Sequence, residues 1–308
     1  MKKNFFRAGI AAIAFAGLYV AACSTDDGLS GQSTSDDVTV SFSLGLAHGA
    51  STRAAADTLI GTASHANRLT YAVYDDEGLT RLGATTVDTD FPTTVSLTLG
   101  KSQTYQIVFW ADNKEADKYA FDADSAAITV DYSIHNNDAA DAFCTMHEVT
   151  VDADMSIDVT LTRPFAQLNV GASDATVASD AGVVIAASEV EISGLANRIN
   201  LRTGEISGDV TTTFPATAVP NQHLTVGDSA YTYLAMDYLL VPDGKSTVQA
   251  AYTFSPQKGN AVTRTITAIP VQTNYRTNLL GSVLTSNVAL TLIVDPIFEA
   301  DNPTVTLK

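Results

Sequence analysis

The chain has 308 residues, with 17 Lys and Arg against 34 Asp and Glu, and a formal net charge of −17 at neutral pH. That acid excess excludes nucleic-acid binding by phosphate neutralisation and electrostatic adhesion to an anionic membrane. Two cysteines, Cys23 and Cys144, are too few for a Cys-rich metal site, and abundant Thr, Ser and Val point to strand and not helix.

Lys2, Lys3 and Arg7 precede Ala8–Val20, an uncharged apolar run too short to span a membrane as an ordinary helix. Residues 1–22 therefore read as a secretory leader with a small-residue cleavage site. Val20-Ala21-Ala22-Cys23 resembles a bacterial lipobox, which makes Cys23 the lipidation candidate; the plain alternative is an ordinary leader followed by a chance cysteine. Losing the leader removes three basic residues and no acid, so the remainder carries a formal charge of about −20. With Cys23 acylated, Cys144 has no partner, and no intrachain disulfide is expected.

Residues 24–37 are too polar to bury a core and read as a flexible tether. Within it, Ser24-Thr25-Asp26-Asp27-Gly28 resembles the acidic signal that sends Bacteroidota lipoproteins to the outer face of the outer membrane. Strict apolar/polar alternation over Val38–Leu44 predicts a half-buried strand. A small-residue loop with His48, Arg53 and Ala54 follows. Further strands are predicted over 69–74, 94–99, 104–110, 127–132, 146–151 and 156–162, separated by turn clusters at sandwich-like spacing. Arg163-Pro164-Phe165 interrupts, and the domain boundary is placed there, giving domains over 54–163 and 164–308. The second set of strands covers 167–170, 183–192, 199–201, 231–236, 247–254, 262–269 and 283–294, with a short turn or helix within 195–202. Two all-β domains of sandwich type are expected.

Catalytic patterns are missing from the sequence. His48, His65, His135, His147 and His223 form no i, i+2 or i, i+4 pair, and no nucleophile elbow, zinc-protease helix or phosphate loop occurs. Cys144 with His147 lacks an orienting carboxylate at motif spacing, so an idle thiol is expected. Asp75-Asp76-Glu77, Asp138–Asp141 and Asp152-Ala153-Asp154 lack the order of a calcium loop and read as turns. Tyr71, Tyr105, Phe109 and Trp110 read as core before they read as a sugar-stacking platform. No enzyme activity, metal or cofactor is expected.

Three stretches carry a resemblance: Tyr105–Asp112, Thr160–Val170, and Ile269-Pro270-Val271-Gln272-Thr273-Asn274-Tyr275-Arg276-Thr277-Asn278 with Gly281. In order and placement, and together with the leader, they are similar to the fimbrillins of Bacteroidales, subunits of the type V pilus, and related fimbrillin-like lipoproteins. The resemblance implies two tandem Greek-key, transthyretin-like β-sandwiches. It implies export as a lipidated (palmitate-bearing) precursor to the outer membrane, with cleavage after an arginine by a trypsin-like or arginine-specific surface protease. In this chain the matching arginine is Arg53, with Ala54 as the new N-terminus; Arg68 is second choice, because it abuts a strand. Residues 23–53 would then be a lipidated propeptide carrying a removable first strand. A strand from a neighbouring subunit would fill the groove left behind, with this chain's own C-terminal region as the family's donor. Pro296 and Pro303 break that region into Val288–Val294, Ile297-Phe298 and Pro303–Leu307, and which piece is the donor stays open. The implied partners are other fimbrial subunits, copies of this chain included, and the implied role is adhesion and colonisation. The alternative is a lipoprotein that stays anchored and acts as an accessory or tip adhesin for glycan or host protein.

Overall fold

The computed structural model describes residues 37–47, 65–226, 228–285, 291–295 and 305–307. In the first half the strands are β1 (Asp37–Leu46), β2 (Arg68–Asp75), β3 (Thr80–Asp88), β4 (Thr93–Gly100) and β5 (Gln103–Asp112). Short β6 (Tyr119–Asp122) and β7 (Ala127–Val130) follow, then β8 (Phe143–Val151) and β9 (Met155–Leu161). The second half begins with β10 (Phe165–Ala172) and a single turn of helix, α1 (Ala175–Asp180). It continues through β11 (Ile185–Leu195), β12 (Arg198–Asn200), β13 (Ile206–Ser207), β14 (Val210–Ala218) and β15 (His223–Val226). The last strands are β16 (Ser229–Leu240), β17 (Lys245–Pro256), β18 (Val262–Gln272), β19 (Arg276–Gly281), β20 (Thr291–Asp295) and β21 (Val305–Leu307).

The fold is an all-β sandwich fold. In the first half a three-stranded sheet, ordered β4-β1-β9, packs on a four-stranded sheet, β3-β2-β5-β8. Period-two alternation sends Val40, Phe42 and Leu44 into the layer between them, where they meet Leu69, Val73, Ile107, Phe109 and Phe143. The second half pairs a six-stranded sheet, β15-β16-β10-β19-β20-β21, with a four-stranded sheet, β14-β11-β17-β18. Strand β10 is buried on both faces and lies between antiparallel β16 and parallel β19. Its register with β16 shifts at Gly171, where a Cβ would stand 2.8 Å from Leu280 and Tyr231 side-chain atoms. Only glycine fits there.

A small sheet, β13-β12-β7-β6, draws two strands from each half. The halves also share a core. Even residues of β5 turn away from β1, so that Trp110 stacks edge-on with Tyr119 (5.0 Å) and Phe165 (6.3 Å).

Most predicted strands are found within a few residues of their expected ends. Two corrections concern segments with weak patterns. Val283–Val294 is not one strand: β19 ends at Gly281, and the Val283, Leu284 and Thr285 amides turn aside to donate to the Asp174 carboxylate. The 195–202 segment holds β12 and a turn, while the helical turn lies at Ala175–Asp180. Strands β3 and β14 escape sequence reasoning because they lack a clear inward row; β14 buries Phe214 alone.

Candidate functional site: the groove between β4 and β9

Strand β1 lies in the middle of its sheet. It runs antiparallel to β4, in register from Asp37 with Gly100 to Leu44 with Thr93. On its other side it runs parallel to β9, from Val40 with Met155 to Leu46 with Leu161. Inward residues form rows across the three strands: Leu97, Val40 and Met155, then Val95, Phe42 and Ile157. Leu44 and Leu46 extend the rows onto Val159 and Leu161. Each fully buried side chain of this kind contributes about 1.5–3 kcal/mol, and Val40, Phe42 and Leu44 are all 0% exposed.

The outward face carries hydroxyls. Ser41 and Ser96 share a 3.0 Å hydrogen bond, and the Thr39 amide donates to Asp154 Oδ1 at 2.8 Å. At the C-terminal end the Ala47 amide donates to the Leu161 carbonyl at 2.8 Å. Without β1, the facing edges of β4 and β9 would lose their backbone partners and the apolar floor beneath would meet water. The arrangement is therefore a slot for one extended strand, shaped by alternate pockets.

Of the site residues expected from sequence, Cys23, Arg53 and Ala54 lie outside the described residues, as does His48. The others are placed as follows. Tyr105, Phe109 and Trp110 are buried and Tyr71 packs half-buried against Phe109, so these aromatics are core. Burial pushes the Cys144 thiol up to about 12, which leaves it protonated at neutral pH. Asp75 accepts the Leu79 amide within its turn, and Asp154 holds β1. Among the described residues no three His, Cys, Asp or Glu side chains converge as a metal site would require.

The three stretches behind the family resemblance meet in space. Arg163 Nε and Nη2 donate to both carboxylate oxygens of Asp141 at 2.5 and 2.6 Å, and its guanidinium lies 4.6 Å from the Phe143 ring centroid. Phe165, two residues on, packs on Trp110, and its carbonyl accepts the Asn274 amide. The Gln167 amide donates to the Tyr275 carbonyl, and Asn169 Nδ2 donates to Asn278 Oδ1 at 2.8 Å. The stretches thus form the seam between the halves.

One constellation was invisible in sequence because its members are 53 and 102 positions from His135. His135 Nδ1 bonds Asp237 Oδ1 at 2.8 Å and its Nε2 bonds Ser188 Oγ at 2.9 Å. The order is that of a hydrolase triad. Ser188, however, is 0% exposed between the sheets and its hydroxyl also takes the Asn136 amide, so no substrate carbonyl can reach it. The cluster serves the fold. Beside it, Lys118 Nζ donates to the Tyr238 carbonyl at 3.3 Å and lies 5.5 Å from the Tyr132 ring centroid. Desolvation pushes the Lys118 ammonium down to about 8. Together with Asn136 and Tyr132, it satisfies the outer edge of β16 at Met236, Tyr238 and Leu240. That edge is closed to strand addition.

Comparison with solved structures finds similar chains. A "putative polysaccharide binding protein (DUF1812)" from Bacteroides thetaiotaomicron is 13% identical, with a TM-score of 0.55, covering 88% of this chain and 98% of its own. A "putative adhesin" from the same organism is 11% identical, with a TM-score of 0.52, covering 89% and 98%. The fimbrial anchor protein Mfa2 from Porphyromonas gingivalis is 12% identical, with a TM-score of 0.42, covering 83% and 97%. At these identities the likeness to the first two establishes the fold alone. No curated protein matches this chain. A family model matches residues 31–308, and the chain therefore belongs to DUF6562, a family of unknown function.

Proposed function

We propose that this protein is a cell-surface component of a fimbrial adhesion apparatus, delivered as a lipoprotein and assembled with other subunits by exchange of β1. The observation that carries the reading is the position of β1: flanked by β4 and β9, it precedes the rest of the fold and joins it through residues 47–67. A cut after Arg53 would release Cys23, tether and strand together. A neighbour's strand would then restore both ladders and refill the pockets. The fold shared with a protein described as an adhesin fits this role.

The test is cleavage after Arg53 on purified full-length protein. Cleaved wild type supplied with a complementing strand is expected to release β1 and to run as slowly dissociating complexes on SDS gels. Arg53→Ala is expected to remain monomeric. A cleaved protein that stays monomeric, with β1 still seated, overturns the reading. An uncleaved surface form with acylated Cys23 that binds glycans would replace it with a resident adhesin.

A further inference from the structure

Phe42 sets the terms on which a replacement strand can enter. It is the one aromatic residue of β1 and is 0% exposed. Its ring centroid lies 5.4 Å from that of Phe109 on β5 and, edge-on, 5.9 Å from that of His147 on β8. Val95 and Ile157 flank it in register on β4 and β9. The neighbouring inward positions, Val40, Leu44 and Leu46, hold aliphatic side chains. The slot therefore holds one ring among aliphatic side chains, and a slip of two residues would take that ring away from Phe109 and His147.

The chain's own C-terminal stretch does not match. In Val288-Ala289-Leu290-Thr291-Leu292-Ile293-Val294, the alternate residues Val288, Leu290, Leu292 and Val294 fill all four positions in a single register per direction, and either direction puts leucine in the Phe42 pocket. Placing Phe298 there in the direction of β1 sets Pro296, Ala300 and Asn302 at the positions of Val40, Leu44 and Leu46. Reversal brings Pro296 to the Leu44 position, where proline cannot complete a central ladder.

We infer that the Phe42 pocket selects its partner: the groove is built for a strand from a different polypeptide that bears an aromatic residue at this position, in preference to a second copy's C-terminal stretch. The inference rests on the strand-exchange reading and narrows the partner within it. Leucine in the pocket keeps the ladder but loses the ring contacts and leaves volume unfilled.

The test uses full-length protein with a site-specific protease sequence introduced at Arg53, nicked, and then offered labelled synthetic peptides in excess. The peptides are Val38–Leu46, the same peptide with Phe42→Leu, and Asn287–Asp295. The parent peptide is expected to be captured, and the Phe42→Leu and C-terminal peptides to be retained at least about tenfold more weakly. Equal retention of either overturns the pocket's selectivity and leaves strand exchange standing. Capture of none of the three overturns strand exchange itself, and the inference with it.

Discussion

Strands β1 and β10 occupy the same place in their respective halves. Each opens its half's sandwich, pairs antiparallel on one side and parallel on the other, and carries buried residues on its inner face. Their settings differ. β10 is buried on both faces, begins two residues after the Arg163–Asp141 pair, and carries Asn169 hydrogen-bonded to Asn278 and Tyr233. β1 has a hydroxyl-bearing outer face and no polar side chain committed to the core. A strand held by apolar pockets and backbone alone can be replaced by another of similar pattern. One held by specific polar partners cannot, because each lost partner strands a buried donor or acceptor. Under the proposed exchange of β1, the chemistry of a strand's faces, and not its position in the sheet, sets which strand can be replaced.

The largest effect should come from breaking the β10 side. Arg163→Ala leaves the Asp141 carboxylate buried without its guanidinium, at a cost of about 3–5 kcal/mol, read as a lower denaturant midpoint. Burial already pushes Asp141 up, ahead of the opposing pull of Arg163, so the carboxyl of the variant protonates more readily. The deficit should therefore narrow as pH falls. A loss below 1 kcal/mol at pH 7 would mean that the seam does not anchor β10.

Lys118 sharpens the contrast next, because it ties pH to the junction of the two halves, where it bonds the Tyr238 carbonyl, and not to β1. Its amine titrates near 8 in the fold against an ordinary 10.5. Between these values the unfolded chain binds the extra proton, so stability should climb with pH from about 8, by up to about 3 kcal/mol across the window. From about pH 9 the Cys144 thiol, pushed up to about 12, and above pH 10 the buried tyrosines work the other way: burial pushes Tyr119, Tyr233, Tyr238 and Tyr252 well up, which favours the unfolded chain as its thiol and phenols ionise. Midpoints measured from pH 7 to 11 should rise and then fall. Lys118→Met should lose the rise, and an unchanged profile would refute the assignment.

The smallest effect belongs to β1. Asp154→Ala removes the side-chain acceptor from the Thr39 amide on an exposed face, worth about 1 kcal/mol or less. Hydrogen exchange should nonetheless report faster opening of β1 amides while those of β10 keep their protection. Equal loosening of both strands would erase the distinction drawn between them.

Legibility in sequence followed burial geometry. Alternation revealed β1 and β4 because each has one inner face, whereas β2 and β5 were legible from their dense apolar content, both of their faces being buried. Strand β3, exposed along most of its length, offered no period. The Val283–Val294 run looked continuous because apolar spacing does not record where backbone amides turn to a side chain such as Asp174. The Ser188–His135–Asp237 cluster was illegible for a different reason: its members come from β11, the segment before β8, and β16, and nothing local links them.

By itself the sequence determined the β class, the core role of Trp110 and the alternating character of Val38–Leu44, since side-chain order writes period and hydrophobicity directly. Only the tertiary structure decided that β1 lies between β4 and β9, that Phe42 faces Phe109 and His147, and that β16 has a closed edge. Sheet partners are chosen by backbone hydrogen bonds that carry no residue identity, between strands as far apart as those of Val40 and Met155, so no reading of neighbours along the chain could supply them.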